Sequence, residues 1–224
     1  MTGPNLARIL GGLAAIVGGL LFVVAAIVGL SLVDFENFAI AAATGSYILF
    51  ALLSLLGAIL VLGGLVGLYA RQSEQAGPLG LLGFLVTFLG MALIVGASWA
   101  STFTEPALAQ VAPELLAQDP PGWLNFGFTL TYVLASLGWL LFGVATLRAG
   151  VYPRAAAILL MVRAVISFVP LLLTEVILAV VIAWLGFELL TGRGVSAEQP
   201  ARVRWPSENN SCRKRASIGL YPGH

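Results

Sequence analysis

The sequence contains little charge, and its charged residues are confined to short segments. Of its 224 residues, 9% are charged and 59% are hydrophobic, whereas a soluble domain carries about 25% charged residues. A water-soluble fold of this length would not bury so much apolar surface. The composition therefore predicts an all-α, polytopic membrane helical bundle, because helices satisfy their own backbone hydrogen bonds in lipid. We expect the lipid bilayer as its surroundings and no nucleic acid partner. The net charge is only +1, and the charges are unevenly distributed along the chain.

Residue types that carry most enzyme chemistry are almost missing. His224, Lys214 and Cys212 are the single histidine, lysine and cysteine of the chain, and all three lie in its last segment. This excludes bis-histidine haem, zinc-dependent proteolysis, histidine-based Ser or Cys catalysis, a retinal Schiff base in the bundle and CxxC chemistry. Close aspartate clusters and a glycine-rich phosphate loop are also missing. We therefore predict a non-enzyme with no catalytic residue, no metal site and no cofactor.

Six apolar stretches dominate the remaining sequence. About 20 apolar residues make one membrane-spanning helix, and polar or Gly-Pro segments separate the stretches. We predict a transmembrane domain over 1–191 and a disordered, basic cytoplasmic tail over 192–224, which has few large apolar residues. The six predicted helices cover approximately 6–33, 44–70, 79–103, 123–147, 154–170 and 175–191.

The basic residues predict the orientation of these helices. In a six-helix arrangement, all basic residues except Arg163 fall on one side, and the opposite loops hold acidic residues without Lys or Arg. Cytoplasmic loops are enriched in Lys and Arg, so we expect both termini in the cytoplasm. The basic residues are Arg8, Arg71, Arg148, Arg154, Arg193, Arg202, Arg204, Arg213, Lys214 and Arg215, and the acidic residues opposite are Asp34, Glu36, Glu105, Glu114, Asp119 and Glu175.

Arg163 is the charged residue that lies deepest in a predicted span. It follows Arg154 by nine residues, which places it roughly 13 Å along the fifth helix. An unpaired charge at that depth costs at least about 2.5–3.5 kcal/mol on insertion scales. If Arg163 extends toward the cytoplasm, it meets Glu188, and the pair would line a polar cavity or form an anion site. The alternative is that Arg163 snorkels to phosphate headgroups or water.

Glu175 begins the sixth predicted helix, where a carboxylate interacts favourably with the positive end of the helix dipole. We interpret it as a cap at the outer surface, with a proton relay as the alternative.

Glycines are concentrated in the first three predicted helices and allow close backbone contact. Gly63 and Gly67 form a GxxxG pair, a pattern that serves dimerisation and internal packing equally. The remaining glycines in this group are Gly12, Gly19, Gly57, Gly64, Gly80, Gly83, Gly90 and Gly96.

Two segments resemble those of small uncharacterised bacterial multi-pass membrane proteins. One is the Gly–Pro–Arg turn over 148–156, with the Ile-Leu-Leu run that follows it, and the other is the glycine- and alanine-rich start of the first helix over 8–19. The resemblance implies the bacterial inner membrane as the location and transfers no functional residue.

Three hypotheses about function follow. The first is a non-enzymatic protein that binds or conducts a small solute or lipid, or serves as an accessory protein, with Arg163 and Glu188 as its polar pair. The second is a structural subunit that packs through its glycine-rich helices in a homo-oligomer or against a membrane protein partner. The third is a lipid-modifying enzyme, which needs an acid or base that this chain barely provides.

Overall fold

The computed structural model describes residues 3–166 and 172–192, and this part of the chain is helical with no strand. Three helical segments are long and apolar enough to cross a membrane: Arg8–Leu32, Gly45–Val111 and Gly122–Ala149. The elements are α1 (Gly3–Leu32), a 3-10 turn (Phe35–Asn37), α2 (Phe38–Ala41), α3 (Gly45–Trp99), a π turn (Ala100–Thr104), α4 (Glu105–Val111), α5 (Pro113–Leu116), α6 (Gly122–Ala149), α7 (Arg154–Ile166) and α8 (Leu172–Thr191).

Helix α3 is two helices joined at a sharp reversal. Gly77 has φ 58° and ψ −156°, a conformation that glycine adopts most readily, and Pro78 follows it. Tyr69 and Phe84 stack with ring centroids 4.4 Å apart, although 15 residues of straight helix would separate them by about 22 Å. Residues 45–76, the first half of α3, and 78–99, the second half, therefore form a hairpin.

The predicted all-α fold is confirmed in the described residues. The structure extends the helix before the Gly77 turn to residue 76, beyond the predicted end at 70. The third predicted helix ends in the π turn, and α4 and α5 occupy the predicted loop after it. Helix α7 is described as far as Ile166, so the predicted end near 170 lies outside the described residues, as does the predicted tail from 193 onward.

Close glycine contacts hold α1 between the first half of α3 and α8. An ideal Cβ on Gly11 would lie 2.7 Å from the Cα of Gly67, and one on Gly19 would lie 2.5 Å from the carbonyl oxygen of Ala179. These distances are too short for a side chain, so the backbones touch. Gly63, by contrast, is exposed, with only the Cβ of Ala14 at 4.0 Å.

The second half of α3 packs against α6 in the same way. A Cβ on Gly90 would lie 2.5 Å from the backbone of Ala135, and one on Gly138 would lie 2.5 Å from the backbone of Thr87. Helix α6 also contacts α7, which contacts α8. The glycines of the sequence therefore serve largely as contact points between helices of the same chain.

The bundle has a basic end and an acidic end. At the basic end, Arg8 and Arg71 donate hydrogen bonds to backbone carbonyls of α8, and Tyr152, in the turn after α6, donates to the carbonyl of Leu68 at 3.1 Å. The acidic end holds Glu105, at the start of α4, and Glu175, in the first turn of α8.

Candidate functional site: a cavity at the acidic end

A cavity of about 370 Å³ lies at the acidic end of the bundle. Its lining residues include Phe35, in the turn after α1, and Phe22 and Met91, which lie within long helices. Phe22 lies ten residues before the end of α1, which corresponds to about 15 Å of helix. Ligand cavities of this kind measure about 300–1,000 Å³ and combine apolar walls with a few polar groups. This cavity is therefore large enough for a small solute.

Aromatic rings form one wall of the cavity. Phe35 and Phe50 pack edge to face with centroids 5.7 Å apart, and Phe38 and Tyr47 do so at 5.6 Å. Tyr47 and Phe50 also contact each other, so the four rings form one connected cluster. Edge-to-face contacts are favourable for aromatic quadrupoles and restrict ring motion. The wall is thus built from residues of the 3-10 turn, of α2 and of the first turns of α3.

The local sequence places Tyr47 at this wall. Thr44 caps α3, because its side chain accepts a hydrogen bond from the backbone N–H of Tyr47 at 3.3 Å. The Thr44 hydroxyl in turn donates to the carbonyl of Ala41 at 2.6 Å. This cap fixes the first turn of α3 and with it the position of the Tyr47 ring.

Glu105 meets Tyr47 across the cavity. The Tyr47 hydroxyl donates a hydrogen bond to Oε2 of Glu105, and both residues line the cavity. They are 58 positions apart and become neighbours because α3 reverses at Gly77. Within the described part of the chain, no Lys or Arg nitrogen lies within 4 Å of this carboxylate. Glu105 is therefore an acidic group held by a neutral donor.

Glu175, the second carboxylate of the cavity, is paired with Arg163. Nη2 of Arg163 lies 2.5 Å from Oε1 of Glu175, and Arg163 is only 4% exposed. This contact corrects the predicted pairing of Arg163 with Glu188. Arg163 lies in the last described turn of α7 and Glu175 in the first turn of α8. Residues at equal distances from the connection of a helical hairpin lie side by side, so Arg163 meets Glu175.

Glu188 lies elsewhere in the bundle. It follows Glu175 by 13 residues on α8, which corresponds to about 20 Å of helix. Its Oε1 accepts a hydrogen bond from Nε1 of Trp184 at 3.3 Å, and its backbone carbonyl accepts one from Arg71 at 2.6 Å. Glu188 therefore belongs to the basic end and does not line the cavity.

Hydroxyl groups add polarity to the cavity without adding charge. Ser54, Ser98, Ser101 and Thr131 line it. Two of them bond to their own helices: Ser54 donates to the carbonyl of Phe50 at 2.9 Å, and Thr131 donates to that of Gly127 at 2.9 Å. Such bonds to the preceding turn are common for hydroxyls in apolar helices.

Sequence reasoning missed Tyr47 as a site residue and used Glu105 only to orient the helices. A signal was present for each of them. Tyr47 lies at the polar start of the second predicted helix, and Glu105 directly follows the third. Both positions are predicted to lie on the same side of the membrane. The pattern did not indicate that these two helix ends meet.

The cavity is lined by polar groups of several kinds. In residues 3–166 and 172–192, no group of three or more His, Cys, Asp or Glu side chains is placed to hold a metal ion. The cavity instead offers an aromatic wall, hydroxyls, one carboxylate paired with an arginine and one carboxylate hydrogen-bonded to a tyrosine.

Comparison of the chain with family models, curated proteins and solved structures finds no match.

Proposed function

We propose that the protein is a non-enzymatic membrane protein that binds a small solute in the cavity at its acidic end. The observation that carries the proposal is a cavity of about 370 Å³, lined by aromatic rings and by two glutamates. Apolar helices that only pack together would bring their side chains into van der Waals contact and leave few voids larger than a water molecule. A lined volume with convergent polar groups is typical of a ligand site.

The proposal includes a location and a topology. We place the protein in the bacterial inner membrane, with six spans and both termini in the cytoplasm. Three observations support this arrangement: the long apolar helices, the reversal at Gly77 that divides α3 into two membrane-length halves, and the basic residues gathered at one end. In this orientation the basic end faces the cytoplasm, and the cavity lies toward the opposite surface.

The alternative, a structural subunit that packs through its glycine-rich face, receives less support. Gly67 is in backbone contact with Gly11 of the same chain, and Gly63 alone of the GxxxG pair is exposed. We expect Gly67→Leu to destabilise the bundle by about 1–3 kcal/mol through overpacking. Gly63→Leu should leave both stability and oligomeric state unchanged. Loss of an oligomer in Gly63→Leu, measured by light scattering, would favour the structural subunit.

Native mass spectrometry of the purified protein tests the solute site. We expect a bound small molecule in the wild type and its loss in Ser98→Phe, because the added ring fills the cavity that Ser98 lines. Ser73→Phe, at the basic end, is the matched control and should retain the bound mass. Spectra without a bound mass in the wild type, or with the same bound mass in all three proteins, would contradict the proposal.

Thiol labelling of intact cells tests the topology. In a Cys212→Ser background, Glu114→Cys should react with a membrane-impermeant maleimide, whereas Ser73→Cys should react only after the membrane is opened. The reverse pattern would contradict the proposed orientation. Labelling of both sites in intact cells would contradict the six-span arrangement, because it places the two sites on the same side.

A further inference from the structure

The charges around the cavity do not cancel. Two carboxylates, Glu105 and Glu175, line it. The guanidinium of Arg163 lies 2.5 Å from Glu175 and balances that one. No described basic side chain lies within ion-pair distance of Glu105, so two negative charges and one positive charge leave the cavity with a net charge of −1. This charge would repel an anionic solute and attract a cationic one.

Glu105 has an oxygen available for a ligand. The Tyr47 hydroxyl donates to Oε2, and Oε1 has no hydrogen-bond donor among the described residues. A carboxylate has about four lone-pair sites on its two oxygens, so one bond from Tyr47 leaves most of its acceptor capacity unused. The Tyr47 bond also orients the carboxylate, which reduces the ordering cost when a ligand binds.

The wall beside Glu105 suits a cation with an apolar body. The rings of Phe35, Phe38, Tyr47 and Phe50 form a connected cluster that lines the cavity. Ring faces attract a desolvated cation, with quaternary ammonium groups as the best-known ligands of such aromatic walls. A carboxylate beside aromatic rings therefore favours a cationic group and an apolar substituent on the same molecule.

We infer that the cavity is selective for a small organic monocation with an apolar or aromatic body, bound through the carboxylate of Glu105 and the rings around Tyr47. This inference rests on the proposed solute site and names its ligand class. One positive charge on the ligand brings the net charge of the occupied cavity to zero. Glu175, held by Arg163, then serves as a fixed part of the wall.

Isothermal titration calorimetry in lipid nanodiscs tests the inference with three probes that share one ring: benzyltrimethylammonium, benzyl alcohol and benzylsulfonate. We expect the cation to bind at least tenfold more tightly than the sulfonate. Glu105→Gln keeps an oxygen for the Tyr47 hydroxyl but removes the charge, and it should weaken binding of the cation at least tenfold. Glu105→Asp should retain the preference for the cation. Glu114→Gln, an exposed glutamate at the same end, should bind like the wild type.

The outcomes separate this inference from the proposed function. Equal affinity for the three probes, a preference for the sulfonate, absence of cation binding or unchanged binding in Glu105→Gln would each overturn the selectivity. If benzyl alcohol binds the wild type and Ser98→Phe abolishes that binding, the solute site stands even when the selectivity fails. A folded Glu105→Gln variant is established beforehand by its unchanged melting temperature and elution volume.

Discussion

The two ends of the bundle use their charged residues differently. At the basic end, arginines bond to backbone carbonyls: Arg71 donates to the carbonyl of Glu188 at 2.6 Å, and Arg8 donates to that of Leu190 at 3.3 Å. The last carbonyls of a helix lack N–H partners within the helix. Arg8 supplies a donor for the Leu190 carbonyl, and Arg71 adds a second donor to the Glu188 carbonyl, which also accepts from the N–H of Gly192 at 3.1 Å. At the acidic end, Glu105 and Glu175 face a cavity. A charged side chain that donates to a backbone carbonyl stabilises the fold, whereas a charged side chain that lines a cavity is available to a ligand.

Tyrosines show the same contrast. At the basic end, Tyr152 is buried, lies beneath the guanidinium of Arg71 at 5.2 Å from its ring centroid, and donates to the carbonyl of Leu68. Burial raises the pKa of the Tyr152 hydroxyl, although the charge of Arg71 acts in the opposite direction. The hydroxyl therefore remains a donor at neutral pH. At the acidic end, Tyr47 donates to a carboxylate that lines the cavity.

The largest expected effect on stability comes from Glu175→Gln. This change leaves the guanidinium of Arg163, which is 4% exposed, without its charged partner. Breaking a buried ion pair from one side costs 3–5 kcal/mol, and the partial exposure of Glu175 reduces our expectation to about 2–3 kcal/mol. Unfolding in mixed detergent micelles measures the loss.

Two further variants control this result. Glu114→Gln removes an equal charge from an exposed position at the same end and should change the unfolding free energy by less than about 0.5 kcal/mol. Replacing both Arg163 and Glu175 by methionine should recover much of the stability, because no buried charge remains unpaired. Equal stability of Glu175→Gln and Glu114→Gln would show that the pair does not stabilise the fold.

Arg71→Gln should have a smaller effect on stability and none on solute binding. It removes the guanidinium that donates to the Glu188 carbonyl and contacts the Tyr152 ring, so we expect a loss of about 1–2 kcal/mol. Arg154→Gln is the matched control, since Arg154 is exposed at the same end. A loss of solute binding in Arg71→Gln, seen in native mass spectra, would contradict the separation of the two ends.

Tyr152→Phe should have the smallest effect. It removes the hydroxyl that donates to the Leu68 carbonyl and retains the ring below Arg71. One hydrogen bond of this kind contributes about 0.5–1.5 kcal/mol, so we expect a loss within that range and unchanged solute binding. Tyr47→Phe at the acidic end is the sharper comparison, because it should alter solute binding more than stability. The reverse pattern for the two tyrosines would contradict the account.

The sequence was sufficient for the long apolar helices and for the position of the reversal in α3, but not for the short helices α4 and α5. Long apolar stretches mark the helices, and Gly77-Pro78 supplies both a residue that tolerates positive φ and one that cannot continue a helix. Because these signals depend only on neighbouring residues, they predict the helices and the turn without knowledge of the tertiary structure.

The cavity depends on packing between distant residues, which the sequence does not display. Tyr47 and Glu105 meet only because α3 reverses and α4 begins beside its start. The prediction that Arg163 pairs with Glu188 depends on its side chain extending toward the basic end. Its place near the α7–α8 connection directs it to Glu175 instead. The packing of α7 against α8 therefore determines which glutamate pairs with Arg163, and charge complementarity alone does not.

Native mass spectrometry of two single-cysteine variants, after modification with a bulky thiol reagent, compares the two ends most directly. In a Cys212→Ser background, Ser98→Cys places the modified group in the cavity, and Ser73→Cys places it at the basic end. We predict that modification removes the bound solute from Ser98→Cys and leaves it in Ser73→Cys. Retention of the solute in both variants, or its loss from Ser73→Cys, would contradict a solute site at the acidic end.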